Sequence, residues 1–189
     1  MNTPAHLIFG AAAFAGPDRR GTLTAALAGS LTPDLSLYLM AAVSIWGLGI
    51  PAGTVFGEYY YSDAWQSVFA VDNSFVFWGA LLAFALRSGW PRTLAFAGAG
   101  FLHICFDFPL HTHDARRHFW PVSDWVFESP VSYWDNAAHA GIVGPMAVTM
   151  SLFLAGVLIA RYRSVGATVL FAALAAAELA SSGVWRFVF

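Results

Sequence analysis

Apolar stretches long enough to cross a bilayer recur along this chain. Residues 22–50, 64–86, 93–110, 136–160 and 165–188 are each near or above the roughly 20 residues that span the hydrocarbon layer as a helix. A shorter apolar piece, residues 4–16, would rise only about 20 Å as a helix. Composition agrees with this reading. Mean hydropathy is +0.62. Hydrophobic residues make up 58% of the chain and charged ones 11%, with no Lys, where a soluble domain carries about a quarter charged residues. The expectation is an all-α, polytopic membrane helical bundle of five or six membrane segments, a single integral membrane domain over residues 1–189.

Several classes are set aside at once. Net charge is −2 and the arginines are spread without forming a patch, so no nucleic-acid partner is expected. The lone Cys105 allows no internal disulfide and no CxxC metal site. The first apolar run lacks a charged leader and is followed by Asp18, Arg19 and Arg20, unlike a cleaved signal peptide, so it is read as structure.

Two helix starts share a signature. Thr3-Pro4 and Thr32-Pro33 each offer Thr as an N-cap with Pro at the first helical position. His6 and Asp34 would then lie in first turns. The second start predicts a break or kink near the middle of 22–50, because Pro disfavours helical geometry in the residue before it. With six segments, one side receives Arg19, Arg20, Arg87, Arg92, Arg161 and Arg163, and the other receives Arg116, Arg117 and Arg186. The excess of basic residues puts the first side in the cytoplasm. The loop of residues 111–135, rich in aromatic residues and flanked or interrupted by Pro109, Pro121 and Pro130, is expected on the outer face as an ordered lid.

Titratable chemistry is concentrated near that loop. Five of the six histidines fall between His103 and His139, a clustering that favours a ligand set over scattered hydrogen bonders. His103 and Asp107 are four apart, as are Asp135 and His139, and residues at i and i+4 share a helix face. The loop between adds His111, His113, Asp114 and His118. Imidazole and carboxylate without thiolate suit Zn, Mn or Fe, and a carboxylate on a histidine's second N–H is the usual outer partner of a ligand. Asp34 lies inside an apolar stretch, where it must be neutral, paired or metal-bound. A membrane histidine can also be a plain helix–helix hydrogen bonder. Arg116 and Arg117 can grip a phosphate or carboxylate in a bidentate way or anchor to lipid phosphates.

The start MNTPAHLIFG, the LTPDLSLY segment and the HxxxD helix with its His/Asp/Arg loop resemble small bacterial inner-membrane proteins of the YdjM type, membrane-bound metal-dependent hydrolases. The resemblance covers about residues 1–140. It implies His6, Asp34, His103 and Asp107 as ligands or their supports. HTHDARRHFWP followed by SPVSYWD looks like a subgroup signature, with Asp114, His118 and Asp135 at recurring polar positions. The family's PDxD stands here as Pro33-Asp34-Leu35-Ser36, without the second carboxylate, and no HRGxTHS motif is present.

Three functions compete. In the first, a divalent metal, Zn foremost, activates water for attack on an ester or phosphoester of an amphiphilic, lipid-like substrate. Arg116 or Arg117 holds the anion and Asp114 moves the proton. In the second, the chain is a non-enzymatic membrane subunit or assembly factor of a larger, cofactor- or pigment-bearing complex. In the third it is a small transporter using Asp34, Asp72 and Glu178 in apolar segments. Membrane lipids are partners in all three.

Overall fold

The computed structural model describes residues 1–182; Arg186 and the end of the last apolar stretch lie outside the described residues. All regular structure within them is helical. The order is α1 (Thr3–Phe14), α2 (Thr22–Ala42) running on into a π-helical turn (Val43–Gly47), a single turn α3 (Ala52–Thr54), a second π-helical turn (Val55–Tyr59), α4 (Asp63–Asp72), α5 (Phe75–Ser88), α6 (Pro91–Asp107), a 3-10 turn (Asn136–Ala138), α7 (Ala140–Tyr162) and α8 (Val165–Ser181). Local chemistry explains most ends. Pro stands in the first turn of α1 and α6, where its missing N–H is harmless. Ser62, Ser74 and Ser164 accept backbone N–H bonds as caps of α4, α5 and α8, and Gly89, at φ 67°, closes α5.

Three helical stretches, Thr22–Gly47, Asp63–Ser88 and Ala140–Tyr162, are long and apolar enough to cross a membrane. Large apolar side chains point outward on them and on α8: Leu86, Ile142, Met146, Phe153 and Val169 are each more than 60% exposed. A water-facing surface of that kind would be an association hazard; facing lipid it is ordinary.

Three local expectations are corrected. The second apolar stretch is not broken at Pro33: α2 passes through it as one helix. Thr32 donates its hydroxyl to Ala28 O and the buried Asn73 donates to Pro33 O, so neighbours occupy the carbonyls around the proline. The stretch 64–86 is not one helix, because Asn73 and Ser74 end α4 and begin α5. Asp135 and His139 do not share a helix face. They flank the 3-10 turn, with His139 in the left-handed region at φ 68°, and α7 starts only afterwards.

The helices carrying the polar cluster meet at close range. α6 packs against α1, α2 and α5 through a buried run of small residues, Ala95, Ala97, Gly98, Ala99 and Gly100. A Cβ on Gly29 of α2 would stand 2.0 Å from Phe96 O, so only glycine lets α2 and α6 approach this closely. Small residues play this part generally in membrane bundles, where packing replaces hydrophobic drive. α7 and α8 close the other side of α1, with Leu158 and Phe171 against Ile8 and Ala11. One end of the bundle gathers arginines: Arg92 donates to Arg20 O, and Arg161 to Ala12 O and Ala15 O. The polar cluster lies at the other end, where α1 begins and α6 finishes.

Candidate metal centre

Three helices and one loop bring the centre together. The first turns of α1 supply Thr3 and His6, the middle of α2 supplies Asp34, and the last turns of α6 supply His103 and Asp107. The loop adds His111, Asp114 and Arg116. His6, His103 and Asp107 are all at least 97% buried, and each offers a ligand atom within 4.8 Å of the others. His6 Nε2 is 2.8 Å from Asp107 Oδ1 and His103 Nε2 is 3.0 Å from Asp107 Oδ2. Asp34 Oδ1 stands 3.6 Å from His103 Nε2, and His111 Nε2 stands 3.5 Å from Asp107 Oδ1. The main-chain nitrogen of Met1 also reaches Asp107 Oδ1, at 2.5 Å.

The hydrogen bonds around this group fit a cation. His103 Nδ1 lies 2.6 Å from Ser30 O, and a carbonyl only accepts, so Nδ1 carries the proton. A neutral ring then turns its Nε2 lone pair toward Asp107 and Asp34, acceptor against acceptor. A bound cation or a second ring proton resolves that conflict. His6 stacks on His103 with centroids 3.6 Å apart and planes 10° from parallel. The backbone carbonyl on a histidine's far nitrogen is the common outer partner of a ligating imidazole. Thr3 donates to Asp34 Oδ2 at 2.6 Å and fixes that carboxylate. Among the described residues, His6 Nδ1 has no hydrogen-bond partner.

A small pocket of about 30 Å³, room for a water-sized group, lies beside the cluster, lined among others by Asp34, Tyr38, Tyr60, His111, Arg116 and Tyr133. Arg116 is 5% exposed. It donates to Asn73 Oδ1 at 2.9 Å, lies 3.9 Å from Asp34 Oδ1 and sits over the Phe69 ring at 4.9 Å. His111 and Asp114 form a tight pair, Nδ1 to Oδ2 at 2.6 Å. Burial alone would lower the His111 pKa, but the carboxylates of Asp114 and Asp107 push it up to about 9. Burial raises Asp114, and His111 with Arg116 more than reverses this, holding it at about 2. Asp114 also accepts from Thr112 N and Trp134 Nε1.

The remaining sequence candidates lie apart. Arg117 pairs with the exposed Asp63 and Asp124 at 3.6 and 3.7 Å. His113 is exposed, with its ring edge-on to Trp134. His118 is buried between Phe75 and Phe108, with Nδ1 on Arg116 O, and burial lowers its pKa to about 4. Asp135 accepts from Ala137 N, and His139 is exposed. Sequence reasoning did not single out Thr3, Ser30, Tyr60 or Tyr133 as parts of the centre. Only their placement in the fold gives them a role.

No family model, curated protein or solved structure matches the chain.

Proposed function

We propose that the protein is a membrane-embedded, metal-dependent hydrolase acting on an ester or phosphoester of an amphiphilic substrate, and a relative of the YdjM-type proteins. The observation that carries the reading is a buried imidazole–carboxylate cluster that opens directly into a pocket walled by a buried arginine. His6, His103 and Asp107 hold the ion, with Asp34 beside them. The nitrogen and oxygen donors suit Zn first, and Mn or Fe next. A divalent metal there supplies Lewis-acid polarisation of a carbonyl or phosphoryl oxygen and lowers the pKa of water.

The chain's own residues do the rest. Arg116 holds the anionic group of the substrate; its guanidinium is kept in place by Asn73 and Phe69 and shielded from water, which strengthens the contact. Asp114 is already committed to three N–H donors and held low, so it orients His111 instead of accepting a proton itself. His111, with Nδ1 on Asp114, presents Nε2 to the pocket and donates its proton to the leaving group from that atom. Arg117 is an interfacial anchor.

In this reading the bundle crosses a bacterial inner membrane five or six times. The arginine-rich end lies in the cytoplasm and the 111–135 loop covers the outer end as a lid. Bonds from Phe75 N to His118 O, Ser129 N to His111 O and Tyr60 Oη to Asp114 O support an ordered loop. The same bonds favour a second reading, in which the cluster is a structural clasp tying the loop to the bundle. Metal-loaded protein in mixed micelles should hydrolyse phosphorylated or acylated amphiphiles. If it hydrolyses none, the clasp reading replaces the enzyme.

A further inference from the structure

α8 packs one face against α1, and that face is apolar at Ala167 and Phe171. At the next turns in the same register stands Glu178, 1% exposed. A carboxyl group in this position is costly unless both oxygens are satisfied. They are: Oε1 accepts from Asn2 Nδ2 at 3.0 Å and Oε2 from Ala5 N at 3.2 Å.

α1 needs this help from outside. Its first turn has no side-chain cap. The N-cap residue is Asn2, not Thr3 as the sequence suggests; the Asn2 amide is turned to Glu178, the Thr3 hydroxyl is bonded to Asp34, and Pro4 has no N–H to satisfy. The free donor at Ala5 therefore meets a carboxyl from the other end of the chain, at the helix terminus where negative charge is favoured. Ala5 is flanked by the two parts of α1 that serve the centre, Thr3 on Asp34 and His6 on Asp107. A helix of only three turns is marginal alone, so what holds its first turn sets where those side chains point.

We propose that Glu178 is a positioning residue for the metal centre: it clamps the first turn of α1 so that His6 and Thr3 reach Asp107 and Asp34. The metal half of this proposal rests on the metal-centre reading; the clamp itself does not.

Two substitutions separate clamping from packing. Glu178→Leu fills the site with an apolar side chain that suits the α8 face and removes both acceptors. Glu178→Gln accepts from Ala5 N with its oxygen and donates its amide to Asn2 Oδ1 once the Asn2 amide turns over. Cobalt(II) affinity and its ligand-field spectrum are read alongside backbone hydrogen exchange at His6, whose own amide bonds Asn2 O and not Glu178. Glu178→Leu should weaken cobalt binding about 10- to 100-fold and shift the spectrum, as loss of an outer partner does. It should also speed exchange at His6 about tenfold or more by loosening the turn. Glu178→Gln should stay within about threefold of wild type on both. Wild-type exchange at His6 in Glu178→Leu overturns the proposal, as does equal damage in Glu178→Gln. If the wild-type protein takes up no cobalt, the metal reading fails and the exchange measurement alone decides the clamp.

Discussion

Asp114→Asn isolates the pair that links the loop to the centre. The carboxylate accepts from His111 Nδ1, Thr112 N and Trp134 Nε1. An amide has one oxygen, so at least one of these donors is left facing another donor. The size follows from linkage. Moving His111 from 6.5 up to about 9 is worth about 3 kcal/mol at 1.36 kcal/mol per unit. Asp107 contributes part of that rise, so the share of Asp114 is taken as about 2 kcal/mol, below the roughly 3–5 kcal/mol that breaking a fully buried pair costs. For a chain of this size that is a fall in Tm of roughly 4–8 °C, measured on metal-stripped protein in detergent. The sign is set by His111. Its folded pKa is raised, so its contribution is fully present below about 6.5 and is lost as pH rises through about 9. The gap between wild type and variant should therefore be widest near pH 6 and narrow by pH 10 to what the lost neutral hydrogen bonds contribute. A gap below about 1 °C at pH 6, or one that stays constant to pH 10, refutes the ion pair.

Two further outcomes follow from the same geometry. Arg116→Ala should abolish turnover or raise KM sharply with metal retained, and Arg116→Lys should not restore it because a lysine lacks the planar fork; Arg117→Ala, which breaks only contacts to exposed carboxylates, should change stability by less than about 1 kcal/mol and leave turnover intact, both read by steady-state kinetics on the purified protein. His113→Ala and His139→Ala should keep full metal content, since both rings are exposed and away from the cluster; a loss of metal in either would mean that the ligand set extends into the loop.

The helical architecture was legible because apolar run length is a local property, and the His103/Asp107 pair was legible because i, i+4 spacing projects both onto one face of α6. The Thr3-Pro4 signature placed His6 in a first turn, but its role as a ligand came only through the family resemblance, since no titratable side chain stands near it in sequence. The division of 64–86 was missed although Asn73-Ser74 before an apolar run is a recognisable cap signal; hydropathy runs straight across it. Pro33 misled in the opposite direction: α2 continues through it, and one of the groups that occupies a carbonyl beside it, Asn73, lies far away in sequence. Asp135 and His139 had the right spacing but not the helix, which depends on His139 adopting a left-handed backbone. Thr3, Ser30 and Asn73 are ordinary polar residues whose roles exist only once α1, α2, α4 and α6 are packed. Glu178 was visible as a charge in an apolar segment, but its partners, Asn2 and Ala5, were not.

The central claim is that the buried cluster of His6, His103 and Asp107 holds a divalent metal. Elemental analysis of protein purified from membranes, wild type beside His103→Ala and Asp107→Ala, tests it most directly. About one equivalent or more of Zn, Mn or Fe is expected in the wild type, with loss of that metal in both variants while the protein remains in the membrane fraction. A wild-type protein without metal, or variants that keep all of it, would rule out a metal held by these residues.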